Sequence, residues 1–279
     1  MYFSDKEWKK EFVTLLQLPV ITTKKGLIMT INYKNENNEL HRNTDVGPAY
    51  FSYYKNGQIE SNEYWVNGQK YRLGGPSVIK YAIRQPRYHE IYWVNDQKHR
   101  LGGPAYITYR KKGQIERKEY WVNGKRHKLD GPSMINYYEN GQIEVEYYWV
   151  DDKKHRPTKE GPGTIKYYKN GQIEFESYWV NDEEHRPTEE GPAHIYYYEN
   201  GQMQYKVYQV NGKQHRPIEE GPAFIYYYEN GMIKREEYWV NGKRHRPTKE
   251  GPATIWYYED SQIRSEAYWV NDKRIIKDC

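Results

Sequence analysis

Short runs of β-branched and aromatic residues bounded by turn residues recur along the chain, as at residues 253–258 and 263–270, and this is the pattern of β-strands. In most copies an Asn-Gly pair joins two such runs, as at Asn170-Gly171, and a second pair follows a Tyr-Trp-Val, as at Asn241-Gly242. Asn-Gly between strand-like runs predicts a hairpin. Residues 221–246 carry the whole pattern, and near copies of them fill most of the chain. The Gly-Pro pair recurs at Gly47, Gly75, Gly103, Gly131, Gly161, Gly191, Gly221 and Gly251, spaced by 28 residues three times and then by 30 four times. Eight units at a near-fixed period predict a repeat array. One segment has a helical period instead: Ser4 and Glu7 have capping-box spacing, and Trp8, Phe12, Leu15 and Leu16 share one stripe. Residues 4–17 are therefore expected to form a short helix that caps the first sheet edge. Residues 27–46 resemble the second half of a unit, which gives a capping helix and half-repeat over 1–46 and eight hairpin repeats over 47–279.

Register follows from the columns. Counted from the Gly of each Gly-Pro as zero, position +4 is Phe51, Ile79, Ile107, Ile135, Ile165, Ile195, Ile225 and Ile255, and +6 is Tyr throughout. Position +12 is mostly Ile, and +18 is Trp except at Gln209. A three-residue loop with Gly in the left-handed position pairs +6 with +12 and gathers Ile, Tyr, Ile and Trp on one face. A two-residue loop would bring Glu144 or Glu174 onto that face. Turns such as Glu199-Asn200-Gly201 are thus expected to be three-residue, Gly-bulged hairpins. The Gly-Pro is expected in mid-strand, as a bulge or corner, because Pro has no N–H for a ladder. The simplest topology is an all-β, antiparallel meander with two main strands per repeat. At about 4.8 Å per strand, sixteen strands would span roughly 77 Å, an elongated and twisted sheet.

Composition excludes disorder, since 16% of residues are aromatic, with 32 Tyr and 9 Trp. The net charge of +5 comes from 43 basic and 38 acidic residues that are interleaved, which suits a solvated, salt-bridging face and argues against a nucleic-acid partner. The single cysteine, Cys279, allows no intramolecular disulfide and suits a reducing compartment. The first residues are charged where a signal peptide needs an apolar run, and no stretch reaches the ~18 apolar residues of a membrane span, so a soluble, intracellular protein is expected.

Catalysis needs unlike residues converging on one point, whereas this chain supplies like residues in columns. There is no Gly-x-Ser-x-Gly, P-loop, Cys-x-x-Cys or His-Glu-x-x-His, so no enzyme and no cofactor is expected. The carboxylate pairs Glu144/Glu146 and Glu174/Glu176 are expected on a solvated face. His99, His127, His155, His185, His215 and His245 form a column whose members would lie about 9.6 Å apart, too far to share a zinc ion, so they read as turn residues and not as metal ligands. The adjoining Arg100, Arg156, Arg186, Arg216 and Arg246 would line one margin, where acidic lipid headgroups are a conceivable partner, although Glu160, Glu189, Glu190, Glu219, Glu220 and Glu250 dilute the charge. The feature that breaks repeat symmetry is column +5, which runs Ser52, Lys80, Thr108, Asn136, Lys166 and then Tyr196, Tyr226, Trp256. Column +3 adds His194 and Phe224. Aromatic side chains gathered on an otherwise polar face predict a partner-binding surface of His194, Tyr196, Phe224, Tyr226 and Trp256.

Tyr228-Glu229-Asn230-Gly231 followed by Tyr238-Trp239-Val240-Asn241-Gly242-Lys243-Arg244-His245 resembles the MORN-repeat superfamily, whose units are β-hairpins with Tyr, Gly and Trp at set positions. The likeness is to its variant branch, which includes the YwqK-type antitoxin-like proteins and the many-copy repeat proteins of Marseillevirus-like giant DNA viruses. It extends from Gly47 to the last residue, although Arg-Pro-Thr-Lys/Glu-Glu replaces the second Gly of the usual unit in the later copies. The resemblance implies a β-repeat scaffold that mediates protein–protein contacts, as a component of a virus or its particle, or as an antitoxin that binds a toxin.

Overall fold

A computed structural model describes residues 19–83 and 88–276; the helix expected over 4–17, and Cys279, lie outside the described residues. Local turn chemistry builds each repeat. At the first turn the Tyr198 N–H donates to the Gln202 carbonyl at 2.8 Å and the Gly201 N–H to the Tyr198 carbonyl at 2.9 Å, which closes the loop Glu199-Asn200-Gly201. Gly201 has φ +84°, a conformation that penalises a Cβ, and Asn200 Oδ1 accepts the Gln202 N–H at 2.9 Å. Tyr197 pairs with Met203, the +6 to +12 register that a three-residue loop dictates. The second turn is tighter. Trp239 pairs with Arg244 and Val240 with Lys243, so Asn241 (φ +52°) and Gly242 (φ +77°) form a two-residue loop, the geometry that favours Asn-Gly.

The main strands pair antiparallel in chain order, so the fold is an all-β meander of hairpin repeats. The chain divides into two compact units, Met1–Gly113 and Gln114–Cys279. In the first, Val20–Lys24, Leu27–Asn32, Tyr50–Tyr53, Ile59–Glu63, Val78–Tyr81, Tyr88–Ile91 and Tyr106–Tyr109 follow one another across the sheet. In the second, the succession Met134–Tyr137, Ile143–Tyr147, Thr164–Tyr167, Ile173–Ser177, His194–Tyr197, Met203–Val207, Phe224–Tyr227, Ile233–Glu237, Thr254–Tyr257 and Ile263–Val270 is equally regular.

Three expectations are corrected. First, a one-residue bulge follows each +6 to +12 pair, so Tyr196 faces Tyr205 and Ile195 faces Lys206. The bulge sends the two carboxylates of each pair to opposite faces. Glu174 meets Lys166 at 2.8 Å, while Glu176 lies beyond Ile165 and accepts the Tyr197 hydroxyl at 2.9 Å on the Ile/Tyr face. The same Tyr-to-Glu bond joins Tyr167 to Glu146 (3.1 Å) and Tyr257 to Glu236 (2.8 Å). Burial first, and then the neighbouring carboxylate, raises the pKa of these three phenols above the ordinary tyrosine value.

Second, the Trp column does not join the Ile/Tyr face. In every copy but the last, where Ile263–Val270 runs on through Trp269, the strand stops at the Tyr before the ribbon: the Tyr178 N–H still pairs with Ala193 in the sheet (2.8 Å), but its carbonyl accepts the His185 N–H (3.1 Å), and Trp179–Val180 pairs with Glu183–Glu184 as a separate ribbon. Trp239 Nε1 then reaches Glu237, on the face opposite the Ile column, at 2.8 Å.

Third, the Gly-Pro precedes the strand. Gly161 (φ +125°) follows a 3-10 turn at Thr158–Glu160, and the strand opens at Thr164. The two extra residues of the later copies go into that turn. The next residue position is fully buried, as at Ala193, Ala223 and Ala253, with Ala193 N–H already paired to Val207 at 2.9 Å.

Candidate partner-binding face

In the unit Gln114–Cys279 the register lays Phe175, Tyr196, Tyr205, Tyr226, Arg235 and Trp256 side by side, one from each successive strand. A parallel row holds Ser177, His194, Val207, Phe224, Glu237 and Thr254. Strand spacing of about 4.8 Å is close to the distance at which aromatic rings stack, so directly opposed rings meet face to face. Ring centroids are 4.8 Å apart for Phe175 and Tyr196, 4.5 Å for Tyr196 and Tyr205, and 6.0 Å for Tyr205 and Tyr226. His194 lies against Phe175 (4.7 Å) and Tyr196 (5.0 Å), and Phe224 against Tyr205 (5.8 Å). All these rings are half-buried. Burial, with Tyr196 next in effect, raises the Tyr205 phenol pKa.

Four of the five residues expected to form this surface, His194, Tyr196, Phe224 and Tyr226, therefore belong to one cluster. Trp256 stands apart, separated from Tyr226 by Arg235, and these three with Lys234 line a shallow cleft of about 220 Å³. Arg235 is held in place by Glu237 (3.3 Å) and by the Phe224 ring, 4.8 Å from its guanidinium carbon. Lys234 lies 5.3 Å from the Tyr226 ring centre and 5.1 Å from that of Tyr228.

Phe175, Tyr205 and Arg235 lie outside the first-strand columns. Their signal stands in the second strand, where column +14 runs Val145, Phe175, Tyr205, Arg235 and breaks symmetry in the same copies. Only the bulge places that column opposite +5.

The other candidate columns are engaged in the fold. Arg156, Arg186, Arg216 and Arg246 lay their guanidinium groups 3.9–4.0 Å above the rings of Tyr148, Tyr178, Tyr208 and Tyr238, and donate through Nη1 to the carbonyls of Pro162, Pro192, Pro222 and Pro252 at 3.1–3.3 Å. Arg100 does the same with Tyr92 and Pro104. These heads are docked on the molecule and do not form a free basic margin. In the His column, His155, His185, His215 and His245 accept the N–H of Asn181, Asn211, Asn241 and Asn271 through Nδ1 at 3.1–3.3 Å, each tying its ribbon to the next. His127 meets Asp151 at 3.1 Å. Between the ribbons, Lys154 lies over Trp179 (4.3 Å) and Arg244 lies between Trp239 (4.9 Å) and Trp269 (4.8 Å). This ladder changes where Gln209 replaces Trp and Glu184 replaces the cation, and Glu184 instead reaches His194 at 3.5 Å.

Four stretches of the chain, 133–151, 164–181, 193–211 and 223–241, match the family model described as MORN repeat variant, which supports the MORN-repeat family for these copies. Each match runs from the first main strand to the Tyr-Trp/Gln-Val ribbon, and three of the four contain the aromatic row. No curated protein matches the chain. A solved structure titled "Crystal Structure of TcdB2-TccC3-TEV" contains a chain similar at 11% identity over 92% of this chain, with a TM-score of 0.18, and this chain spans 15% of that one's length. A likeness of that size says nothing further about the fold. Among the described residues no helix is long and apolar enough to cross a membrane.

Proposed function

We propose that this protein is a non-catalytic β-repeat scaffold that binds a partner protein through the aromatic row of its C-terminal copies. The observation that carries this reading is the continuous stack from Phe175 through Tyr226, with His194 and Phe224 beside it, on a face that equivalent positions of earlier copies fill with residues such as Asn136 and Lys166. Rigid aromatic side chains held by their neighbours lose little entropy on binding, which suits them as interface anchors. Membrane apposition draws no support from the Arg row, whose heads are occupied by Tyr rings and Pro carbonyls. The resemblance to repeat proteins of giant DNA viruses supports a place in or near a virus particle, and to the antitoxin-like proteins a toxin as the partner; in either role this face is the surface we assign to the partner.

The test is capture of partners from the native setting by the tagged chain, identified by mass spectrometry. Tyr226→Ala with Trp256→Ala should lower recovery of the true partner about tenfold or more. Thr108→Ala with Asn136→Ala, the same column in earlier copies, should leave it unchanged. Equal recovery by the two folded double variants would remove the C-terminal face from the function.

A further inference from the structure

We propose that the C-terminal face takes an acidic segment of the partner protein, one whose carboxylates are interspersed with apolar side chains; this rests on the reading of that face as a partner surface. Two columns change character together. At +13, the residue the bulge inserts, earlier copies carry Glu60, Glu116, Glu144 and Glu174, while the last three carry Gln204, Lys234 and Arg264. At +5 the same copies change from Lys166 to Tyr196, Tyr226 and Trp256. Before the change, Lys166 is neutralised by Glu174 at 2.8 Å. Two copies on, the acid has become Lys234, which rests against the Tyr226 and Tyr228 rings, and Arg264 lies 5.8 Å from the ring centre of Tyr258. Neither Lys234 nor Arg264 makes an ion pair among the described residues. Of the acids of these hairpins, Glu237 is taken by Arg235 and Trp239, Glu236 and Glu266 lie opposite Ile255 and so on the other face, and Glu229, Glu259 and Asp260 stand in the turns, outside the strands.

Ring geometry points to the same ligand chemistry. Stacking covers the faces of Tyr196 and Tyr205 on both sides, so the row offers ring edges, the positive part of the aromatic quadrupole. Positive edges beside Lys234, with Arg264 at the same column one copy on, complement carboxylates, and the cleft between Tyr226 and Trp256 gives an apolar neighbour somewhere to lodge. Single-stranded nucleic acid would need free ring faces on which to stack bases, and those are taken. Half-buried rings are likewise poorly placed to insert into a membrane.

Fluorescence anisotropy on the full chain decides between these ligands. The probes are a short labelled peptide of alternating Glu and Leu, its counterpart with Gln for Glu, a labelled oligothymidylate and phosphatidylserine vesicles. The acidic peptide should bind about tenfold or more tightly than the Gln peptide. Lys234→Glu with Arg264→Glu should abolish that preference, and because these substitutions install the residue of the earlier copies the fold should persist, as circular dichroism would verify. Equal binding of the two peptides, or a preference for the oligonucleotide or the vesicles, overturns the assignment. If Tyr226→Ala with Trp256→Ala loses the native partner while the charge reversal retains it, the acidic segment is wrong and the partner surface stands. If neither variant loses it, both fall.

Discussion

The guanidinium carbon of Arg186 lies 3.9 Å from the centre of the Tyr178 ring while its Nη1 donates to the Pro192 carbonyl at 3.1 Å. One side chain thus joins the end of a main strand, the exit of the ribbon and the entry to the next copy. Arg186→Ala removes a cation–π contact and a charged hydrogen bond, and should cost about 2 kcal/mol. Arg186→Lys should cost about half of that, since Lys128 occupies the equivalent place in an earlier copy with its Nζ 4.2 Å from the Tyr120 ring. Denaturant unfolding of the two variants measures the difference, and equal loss would mean that the ring contact contributes little.

Gly171 tests the turn assignment. Its φ is +88°, and a Cβ added there would meet only Gln142 Nε2, at 3.8 Å, so the penalty for a larger residue is one of backbone conformation and not of space. Gly171→Val should lower stability by about 1–2 kcal/mol and speed amide exchange in its hairpin. Gly171→Asn should be milder, since Ser261 already holds the same place in the last copy at φ +66°. If Val and Asn prove equivalent, the left-handed constraint is not what stabilises the turn.

Raised phenol pKa values give a pH dependence of definite sign. Tyr167, Tyr197 and Tyr257 keep their protons more tightly folded than unfolded, mainly because they are buried and then because of Glu146, Glu176 and Glu236. Their contribution is fully present below the unfolded tyrosine pKa of about 10 and is lost as pH rises through the folded values. Stability should therefore decline above about pH 10, and phenolate absorbance should show a group of tyrosines titrating later than in denaturant. Glu176→Gln should bring the Tyr197 titration partway back, because burial remains. Full return to the ordinary value would show that the carboxylate, and not burial, dominates.

His215 is expected to act through its acceptor. Its Nδ1 takes the Asn241 N–H at 3.1 Å, and the Asn241 backbone is already in the left-handed region. His215→Ala should cost about 1 kcal/mol and accelerate exchange of the Asn241 amide above that of its neighbours. Protection unchanged at Asn241 would remove the His column from the joint between ribbons.

Features that depend on neighbouring residues alone are legible in the amino-acid order. The period marked by Gly-Pro, the three-residue loop at Gly201 and the Asn-Gly turn at Asn241-Gly242 all follow from local backbone preferences, since positive φ is tolerated by few residue types. The symmetry break at Tyr196, Tyr226 and Trp256 was visible for the same reason, as a change within one column. Which columns become neighbours is set by strand pairing and cannot be read from any one column. One extra residue in each of these two hairpins shifts the partner strand by a place, which takes Glu176 to the Tyr197 hydroxyl and slots Phe175 and Tyr205 into the aromatic row. The Trp residues leave the sheet where the backbone bonds of Tyr178 divide between sheet and ribbon, and the Arg column, which reads as an open basic margin, turns back onto rings and carbonyls instead. Each of these outcomes joins residues from different strands, and a side-chain period of two cannot say where a strand is interrupted or lengthened by one.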